Sequence, residues 1–325
     1  MRTLVLGSEA ALVEALVAKL RSHSEQTFVL GSYPHAGAIP LGGDAAALDF
    51  GLSGKDYLSL TAQIDRLVVA EAPDRGRLES PTGARHVRAA QEALEFVRSG
   101  GGRAQVVFLS SLLIFGAATT RVSEADFRVD QGFANAFEES LALAEQTVRL
   151  AGKLNVPLSI ARVAPLVGNT ETGLLDRASP LLELVELIRS GGIHTDAIWT
   201  DRPIHFETHN HLATALASLV EHGGQRTVHL VRPAPPTDRE LCEWLEETFG
   251  KTKTPNERIG SLIRRPALLA LRSPERRAFT GWALGFGSTE AQALGLNQYE
   301  PWPETLRKVL ARSLTGTDRA EPDHA

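Results

Sequence analysis

Four residues close together in the chain have side chains that could bind a metal ion. His205, Glu207, His209 and His211 alternate in the run I-H-F-E-T-H-N-H. Alternate residues of an extended segment share one face, and neutral imidazoles with a carboxylate suit Zn²⁺ or a related ion. A helix over His211–His222, capped just before its first turn, would scatter these ligands. We expect the helix, and the metal site is the alternative.

The first turn of the chain is a place where phosphate could bind. In V-L-G-S-E-A-A-L-V, Gly7 is followed by Ala10 and Val13 at the positions of the second and third glycines of a G-x-x-G-x-x-G pattern. The second glycine lets the backbone approach a pyrophosphate, and the third lets the helix pack closely on the strand. Glu9 adds a carboxylate at the helix N-terminus that would otherwise attract phosphate. This turn predicts weak cofactor binding at best, and a plain turn without a ligand is the alternative.

Apolar runs that alternate with helical stretches must position these side chains. The runs are rich in Val, Leu and Ile without polar alternation, which is typical of strands buried on both faces of a parallel sheet. The pattern predicts an α/β fold with a Rossmann-like doubly wound parallel sheet. The predicted strands are Thr3–Leu6, Thr27–Leu30, Asp65–Val69, Val106–Ser110, Pro157–Arg162 and Thr227–Leu230. The predicted helices are Ala10–Ser22, Pro81–Ser99, Ala134–Ala151, Leu181–Ser190, His211–His222 and Asp238–Phe249.

The rhythm of strands and helices also predicts the domain organisation. Residues 1–167 form a dinucleotide-binding-like Rossmann domain. Residues 168–314 form a small, mostly helical C-terminal lobe, where Pro and Arg become frequent, and residues 227–230 of this part return to the sheet. The polar, Pro-containing tail at 315–325 is expected to fray.

Composition excludes several classes of protein. The chain has 325 residues, a net charge of −5 and a pI near 6.1, so no global basic field would hold nucleic acid. No uninterrupted apolar run is long enough to span a membrane. The single cysteine, Cys242, excludes an internal disulfide framework and agrees with a cytoplasmic location.

Five stretches in a fixed order resemble a known family. They are G-D-A-A-A-L-D-F-G-L-S-G-K-D-Y from Gly43, P-T-G-A-R-H-V from Pro81, V-F-L-S-S-L-L-I-F-G from Val107, A-R-V-A-P-L-V-G-N-T-E-T-G from Ala161 and F-E-T-H-N-H-L-A-T-A-L from Phe206. Together they resemble the thioester-reductase-like branch, the male-sterility type, of the extended short-chain dehydrogenases/reductases. The resemblance extends from Met1 to about Phe249 and implies NADPH-linked reduction of a thioester or carbonyl.

The resemblance also implies three catalytic positions, of which this chain keeps one. Ser111 matches the residue that positions the substrate carbonyl. Phe137 and Leu141 stand where the family has its proton-donating Tyr and the Lys that lowers the pKa of that Tyr. Ser140 and Glu145 match the rest of the family's Y-x-x-S-K-x-x-A-E helix. Neither Phe nor Leu can move a proton, so we expect a family member that lacks efficient catalysis.

Cofactor contacts implied by the resemblance are incomplete. Gly7, Ala10 and Val13 match the phosphate turn, and Ala70 ends the fourth family strand near the cofactor. Ser32 stands where the family often has an Arg for a 2′-phosphate. Asp44 could contact an adenine or ribose, and so could Asp65, although a surface or helix-cap role is the alternative for each. NAD or NADP is therefore an expected but not a required ligand.

The C-terminal lobe suggests a partner. Basic runs at Ile263–Pro266 and Arg272–Arg277 could contact an acyl-carrier protein or another protein, because Arg binds phosphate well; a solvated helix face is the alternative. A homodimer is also left open. We expect a binding, regulatory or assembly protein, and the alternatives are an oxidoreductase with an atypical proton donor or a metal-binding protein.

Overall fold

The computed structural model describes most of the chain in two compact units. The first unit comprises Met1–Val163, His209–Leu230 and Phe286–Leu296, and the second comprises Ala164–Thr208, Val231–Gly285 and Asn297–Ala325. The described residues are 1–31, 35–71, 84–116, 121–127, 132–176, 179–189, 201–249 and 285–312.

A seven-stranded parallel sheet forms the centre of the first unit. Its strand order is β3-β2-β1-β4-β5-β6-β9, so the chain winds in both directions from β1. β4 and β6 are buried along their whole length, as expected for strands covered on both faces, although β4 includes Arg66 and β6 includes Ser159 and Arg162. The strands are β1 Arg2–Leu6, β2 Gln26–Leu30, β3 Ile39–Leu41, β4 Arg66–Val69, β5 Gln105–Ser111, β6 Leu158–Val163 and, after a hairpin of the second unit, β9 Arg226–Leu230.

Helices of the first unit pack in pairs, α1 against α6 and α3 against α4. Their buried residues recur every three or four positions, which is why each helix has one apolar face for the sheet. The helices are α1 Ala10–Leu20, α2 Gly54–Gln63, α3 Arg85–Ser99, α4 Ala136–Arg149, α6 His209–His222 and α8 Thr289–Ala293.

The second unit contains a short hairpin and three described helices. β7 Gly168–Asn169 pairs with β8 Leu174–Leu175 in antiparallel fashion, and α5 Pro180–Arg189 packs against α7 Asp238–Phe249. The last helix, α9, is Trp302–Val309. No helix among the described residues is long and apolar enough to cross a membrane.

The predicted fold class is confirmed, and several helices and strands have bounds that differ from the predicted ones. All six predicted strands lie in the sheet. The predicted helix at His211 begins two residues earlier, at His209, because residue 208 rather than 210 precedes the first turn. The edge strand β3 was not predicted, since it has only three residues and includes Pro40. The boundary at 167/168 stays a prediction.

A buried ion pair connects three elements of the first unit. Glu145 of α4 and Arg162 of β6 are both fully buried, and their closest N···O distance is 2.7 Å. Ser110 of β5 donates to the same carboxylate at 2.5 Å. Burial raises the pKa of Glu145, but the guanidinium groups of Arg162 and Arg149 outweigh it and hold that pKa below its ordinary value.

His229 extends this network to β9. Arg162 Nη1 donates to His229 Nε2 at 3.0 Å, and His229 Nδ1 lies 2.8 Å from the carbonyl oxygen of Gly287. Because Arg can only donate, Nε2 must be unprotonated and Nδ1 carries the proton. Both bonds therefore require neutral imidazole. Burial, and then the charge of Arg162, lowers the pKa of His229 to about 3.

Arg162→Leu is expected to destabilise the protein by about 3–5 kcal/mol, because it leaves the Glu145 carboxylate buried without its main cation. Urea unfolding would measure the change. Arg98→Leu is the matched control: it breaks an exposed pair with Glu95 and should leave the midpoint unchanged. An equal midpoint for Arg162→Leu and wild type would contradict the assigned role of the pair.

The low pKa of His229 predicts that the protein loses stability on acidification. Its pKa is near 3 when folded and about 6.5 when unfolded, so only the unfolded chain takes up a proton as the pH falls from 6.5 toward 3. The contribution of His229 to the free energy of unfolding is complete above pH 6.5. Below pH 6.5 this contribution falls by at most about 1.4 kcal/mol per pH unit.

His229→Gln tests this prediction, because an amide can replace both hydrogen bonds without titrating. The free energy of unfolding measured at pH 7.5 and 5.5 should decrease less in the variant than in wild type. Exposed His222 provides the control His222→Gln, which should keep the wild-type decrease. A variant that loses as much stability as wild type would show that His229 is not the titrating group.

Candidate functional site at the carboxyl edge of the sheet

A cavity of about 240 Å³ lies in the first unit, beside the carboxyl ends of β1 and β2. Its wall includes Gly7, Ala10, Gly31, Asp44, Glu71 and Arg85. This edge is the usual ligand site of doubly wound sheets, because the connections diverge there and leave a crevice.

The first turn brings three predicted cofactor residues together. Gly7 follows β1, and Ala10 is the first residue of α1. Val13 is fully buried, and its Cγ2 would lie 2.6 Å from a Cβ placed on Gly7. Only glycine therefore fits at position 7 beside Val13. The space that a third glycine would leave between helix and strand is filled by the valine side chain.

Glu9 has a partner within the same unit. Its carboxylate pairs with Nε2 of His209, the buried first residue of α6. Glu9 precedes α1 and makes no side-chain cap hydrogen bond to that helix. A negative charge thus stands at the α1 N-terminus, where it competes with an incoming phosphate for the helix dipole.

Arg85 connects two carboxylates across the cavity wall. Its guanidinium lies 2.6 Å from Asp44 Oδ1 and 2.5 Å from Glu71 Oε1. The hydrogen bond from Arg85 lowers the pKa of Asp44, and the bond to Asp44 raises the pKa of Arg85. Asp44 also accepts from the backbone N–H of Ala46 at 2.9 Å. Glu71 Oε2 is buried and has no hydrogen-bond partner among the described residues.

These residues do not fit the pyrophosphate of a dinucleotide. Two carboxylates share one guanidinium, so Asp44, Glu71 and Arg85 together contribute a net negative charge to the wall. Glu9 places a carboxylate, paired with His209, at the helix end, and Val13 occupies the position of the glycine that allows close packing of helix on strand. Ala70 follows β4, and its carbonyl oxygen would lie 3.3 Å from a Cβ on Gly7.

The three positions that the resemblance predicts to be catalytic lie on β5 and α4. Ser111 ends β5; its Oγ accepts from the N–H of Leu113 at 3.2 Å and donates to the carbonyl oxygen of Val163 at 3.4 Å. Phe137 and Leu141 are buried, with exposed fractions of 3% and 6%. An aromatic ring and an aliphatic chain thus occupy this helix face, and neither can donate a proton.

Two interactions fix how α4 is placed relative to β5. Asn135 accepts from the N–H of Glu138, and the Glu138 carboxylate accepts from the N–H of Ala134, a reciprocal cap that starts the helix. Two turns after Phe137, Glu145 accepts from Ser110. Because a crossover helix runs antiparallel to its strands, the first turn of α4 lies at the same edge as the end of β5.

His86 is the titratable residue next to Phe137. The two rings are 6.4 Å apart, edge to face, and His86 Nε2 lies 2.9 Å from Ser140 Oγ. Ser140 donates its only proton to the carbonyl oxygen of Phe137, so His86 Nε2 is the donor to Ser140. Both His86 and Ser140 are buried between α3 and α4.

The four residues of the proposed metal cluster do not follow one extended segment, because α6 begins at His209 and includes His211. Glu207 accepts from the hydroxyl of Tyr299 at 2.9 Å and from the N–H of Thr208 at 2.7 Å. Burial, followed by the charge of Arg232, lowers the pKa of His205 to about 4.

Asp65 lies at the opposite edge from the cavity. It immediately precedes β4 and accepts from the N–H of Arg2 at 2.8 Å, so it caps the start of the sheet and cannot contact an adenine at the carboxyl edge. Ser32 and the basic runs at Ile263–Pro266 and Arg272–Arg277 lie outside the described residues.

Sequence reasoning missed Glu71 and Arg85. A signal for Glu71 was available: it is a charged residue directly after the apolar run of β4, at the edge where ligands bind. Arg85 gave no such signal, because its contact with Asp44 depends on the folded chain.

The strand order, the crossover helices and the cavity at the carboxyl edge define a doubly wound fold of the dinucleotide-binding class. A family model described as "Male sterility protein", of the NAD-binding type, matches residues 18–216, which is more than half of the chain. The chain belongs to this family, and its resemblance to the thioester-reductase-like extended short-chain dehydrogenases/reductases is confirmed. The match to this family model begins at residue 18 and so does not include the turn at Gly7. No curated protein sequence matches the chain.

Solved structures agree on the fold. The terminal R domain from the myxalamid PKS-NRPS biosynthetic pathway is similar with a TM-score of 0.78 and 16% identity, over 99% of this chain and 93% of that one. A thiolation-reductase di-domain from an archaeal non-ribosomal peptide synthetase gives 0.71 and 15%, over 98% and 75%. The Bordetella bronchiseptica enzyme WbmG in complex with NAD gives 0.62 and 14%, over 96% and 93%.

Proposed function

We propose that this chain is a pseudoenzyme of its family, which has lost efficient hydride transfer and acts by binding a ligand or a protein. The observation that supports this is the placement of Phe137 and Leu141. The cap at Asn135 and the bond from Ser110 to Glu145 fix the position of α4 along its axis. The helix therefore cannot slide to place a different side chain at either position. Buried apolar groups therefore stand at the family's acid and ammonium positions.

The remaining side chains can do little proton chemistry. Ser111 can offer a hydrogen bond to a substrate carbonyl, since its existing bond to Val163 is long. Loss of a positioned general acid typically lowers the rate by about 10²–10⁴. His86 is the one imidazole near Phe137 among the described residues, and its Nε2 already donates a hydrogen bond to Ser140 between α3 and α4. The cofactor of the family supplies hydride when bound, and these residues would only orient the acceptor.

NADPH and NADH oxidation with an acyl thioester or an aldehyde tests the proposal. The wild-type chain should show the same rate as Ser111→Ala, because no acid completes the site. The Phe137→Tyr/Leu141→Lys variant, assayed at the highest practical nucleotide concentration, is the matched positive control. A wild-type rate that Ser111→Ala abolishes would establish an oxidoreductase with an atypical proton donor and contradict the proposal.

A carrier partner follows from the comparison with the thiolation-reductase di-domain, in which a reductase is joined to a thiolation domain. We propose that the C-terminal region of this chain contacts an acyl-carrier protein through Arg264, Arg265, Arg276 and Arg277. Homodimerisation and a cytoplasmic location stay predictions.

Surface plasmon resonance with a phosphopantetheinylated carrier protein tests this contact. Changing the four arginines to glutamine should weaken binding roughly tenfold or more, because charge complementarity governs such encounters. Changing Arg21, Arg98, Arg239 and Arg307 to glutamine gives a control with the same loss of charge elsewhere. If both variants bound the carrier protein with equal affinity, the proposed contact would be contradicted.

A further inference from the structure

The outer edge of β9 is covered by two other segments of the first unit. β9 is the last strand of the sheet, and no strand lies beside its outer edge among the described residues. Residues 121–127 lie there, together with Phe286–Leu296, which we call the clasp. Phe286 forms a single parallel bridge with Val122, and α8 of the clasp packs against β9. A bare strand edge is a template for pairing with another chain, so the clasp covers a surface that could bind one.

One buried carboxylate attaches the clasp to the strand. Glu124 Oε1 accepts from the N–H of His229 of β9 at 3.0 Å. The same carboxylate accepts from the N–H groups of Glu290 and Ala291, in the first turn of α8, at 2.7 and 3.1 Å. Ser288, the residue that precedes α8, makes no side-chain cap hydrogen bond. Glu124 therefore caps this helix from a distant segment and connects it to the sheet.

The remaining contacts of the clasp are weaker. The N–H of Gly287 donates to the carbonyl oxygen of Val122, and His229 Nδ1 donates to the carbonyl oxygen of Gly287, both at 2.8 Å and both between neutral groups. Arg226 lies 3.3 Å from Glu290, but both side chains are partly exposed and such pairs contribute little. Hydrogen bonds to a charged acceptor are the stronger ones. Loss of the Glu124 carboxylate should therefore open the clasp before the sheet unfolds.

The edge under the clasp is suited to strand pairing. The N–H of His229 donates to Glu124 and so faces away from β6. Because alternate residues of a strand face opposite neighbours, Thr227 also has its N–H and C=O on the outer side. The strand reads R-T-V-H-L, with β-branched residues and neither Gly nor Pro to interrupt pairing.

A second copy of β9 fits this edge. If two β9 strands lie antiparallel about a two-fold axis at Val228, Thr227 of each copy lies opposite His229 of the other. These residues have their backbone groups on the outer side, so each such pair exchanges two hydrogen bonds. Arg226 then lies opposite Leu230, and no like charges meet. The pairing uses one edge of each copy and closes as a dimer.

We propose that the clasp is an autoinhibitory cover of β9, held by Glu124, and that its opening allows two copies of the chain to pair through their β9 strands. The surface recognised is a row of backbone N–H and C=O groups, and the partner is a second copy, which presents the same edge. The inference concerns assembly and is independent of whether the chain transfers hydride.

Glu124→Ala tests the role of the carboxylate. Hydrogen exchange of the full chain should show residues 286–296 losing protection by at least about tenfold, while β5 and β6 stay protected, because three bonds to a charged acceptor are lost. Glu290→Gln is the matched control: it removes the same charge and the exposed contact with Arg226, but it keeps all three bonds of Glu124. Equal protection of the clasp in Glu124→Ala and wild type would contradict the assignment.

Sedimentation velocity over a range of protein concentrations tests the pairing. Glu124→Ala should self-associate at least about tenfold more tightly than wild type or Glu290→Gln. Adding Thr227→Pro should restore wild-type association, because Pro removes an outward N–H without breaking the ladder to β6. Association that survives Thr227→Pro would overturn the proposal, and so would an open clasp without added association.

Glu124→Gln is the milder variant in case Glu124→Ala does not fold, which thermal unfolding would report. It replaces one carboxylate oxygen with an NH₂ group that cannot accept from the backbone. Exchange of the clasp and self-association should therefore both increase by several-fold. If Glu124→Gln leaves both at the wild-type level, the clasp is not held as proposed.

Discussion

The buried pair of Glu145 and Arg162 is the interaction on which the first unit depends. Two opposite charges without solvent must neutralise each other, and few geometries allow it. Ser110 also donates to the carboxylate, and His229 accepts from the guanidinium, so β5, β6, β9 and α4 are held in one arrangement. A shift of α4 by one residue would separate Glu145 from Arg162.

This constraint has a consequence for the site. Phe137 lies two turns and Leu141 one turn before Glu145, on one side of the helix. Whatever fixes Glu145 therefore also fixes which side chains stand beside the end of β5. The fold keeps its ionic network and its helix cap, while the two positions that would do proton chemistry carry apolar groups. The residues that hold this helix in place therefore differ from the positions that the resemblance predicts to be catalytic.

Much of the fold could be predicted from the sequence because buried parallel strands are nearly pure apolar runs. The helix α2 was missed: its polar sequence G-K-D-Y-L-S-L-T-A-Q has a weak apolar face, and its cap depends on Ser53 accepting from the N–H of Asp56. Ser111, Phe137 and Leu141 could be placed from the resemblance. The Arg85 contacts could not, because Asp44 and Glu71 come from different connections that only the folded sheet brings together.

The cavity at the carboxyl edge results from the topology of the sheet, and its chemistry results from the residues that line it. The carboxyl edge remains open because the connections from β1 diverge there, whatever residues follow the strands. The sign of the charge at that edge is set by single residues such as Glu9 and Glu71, which lie in turns and do not support the core. Carboxylates in these turns change the charge of the edge, while the sheet beneath is held by Glu145 and Arg162.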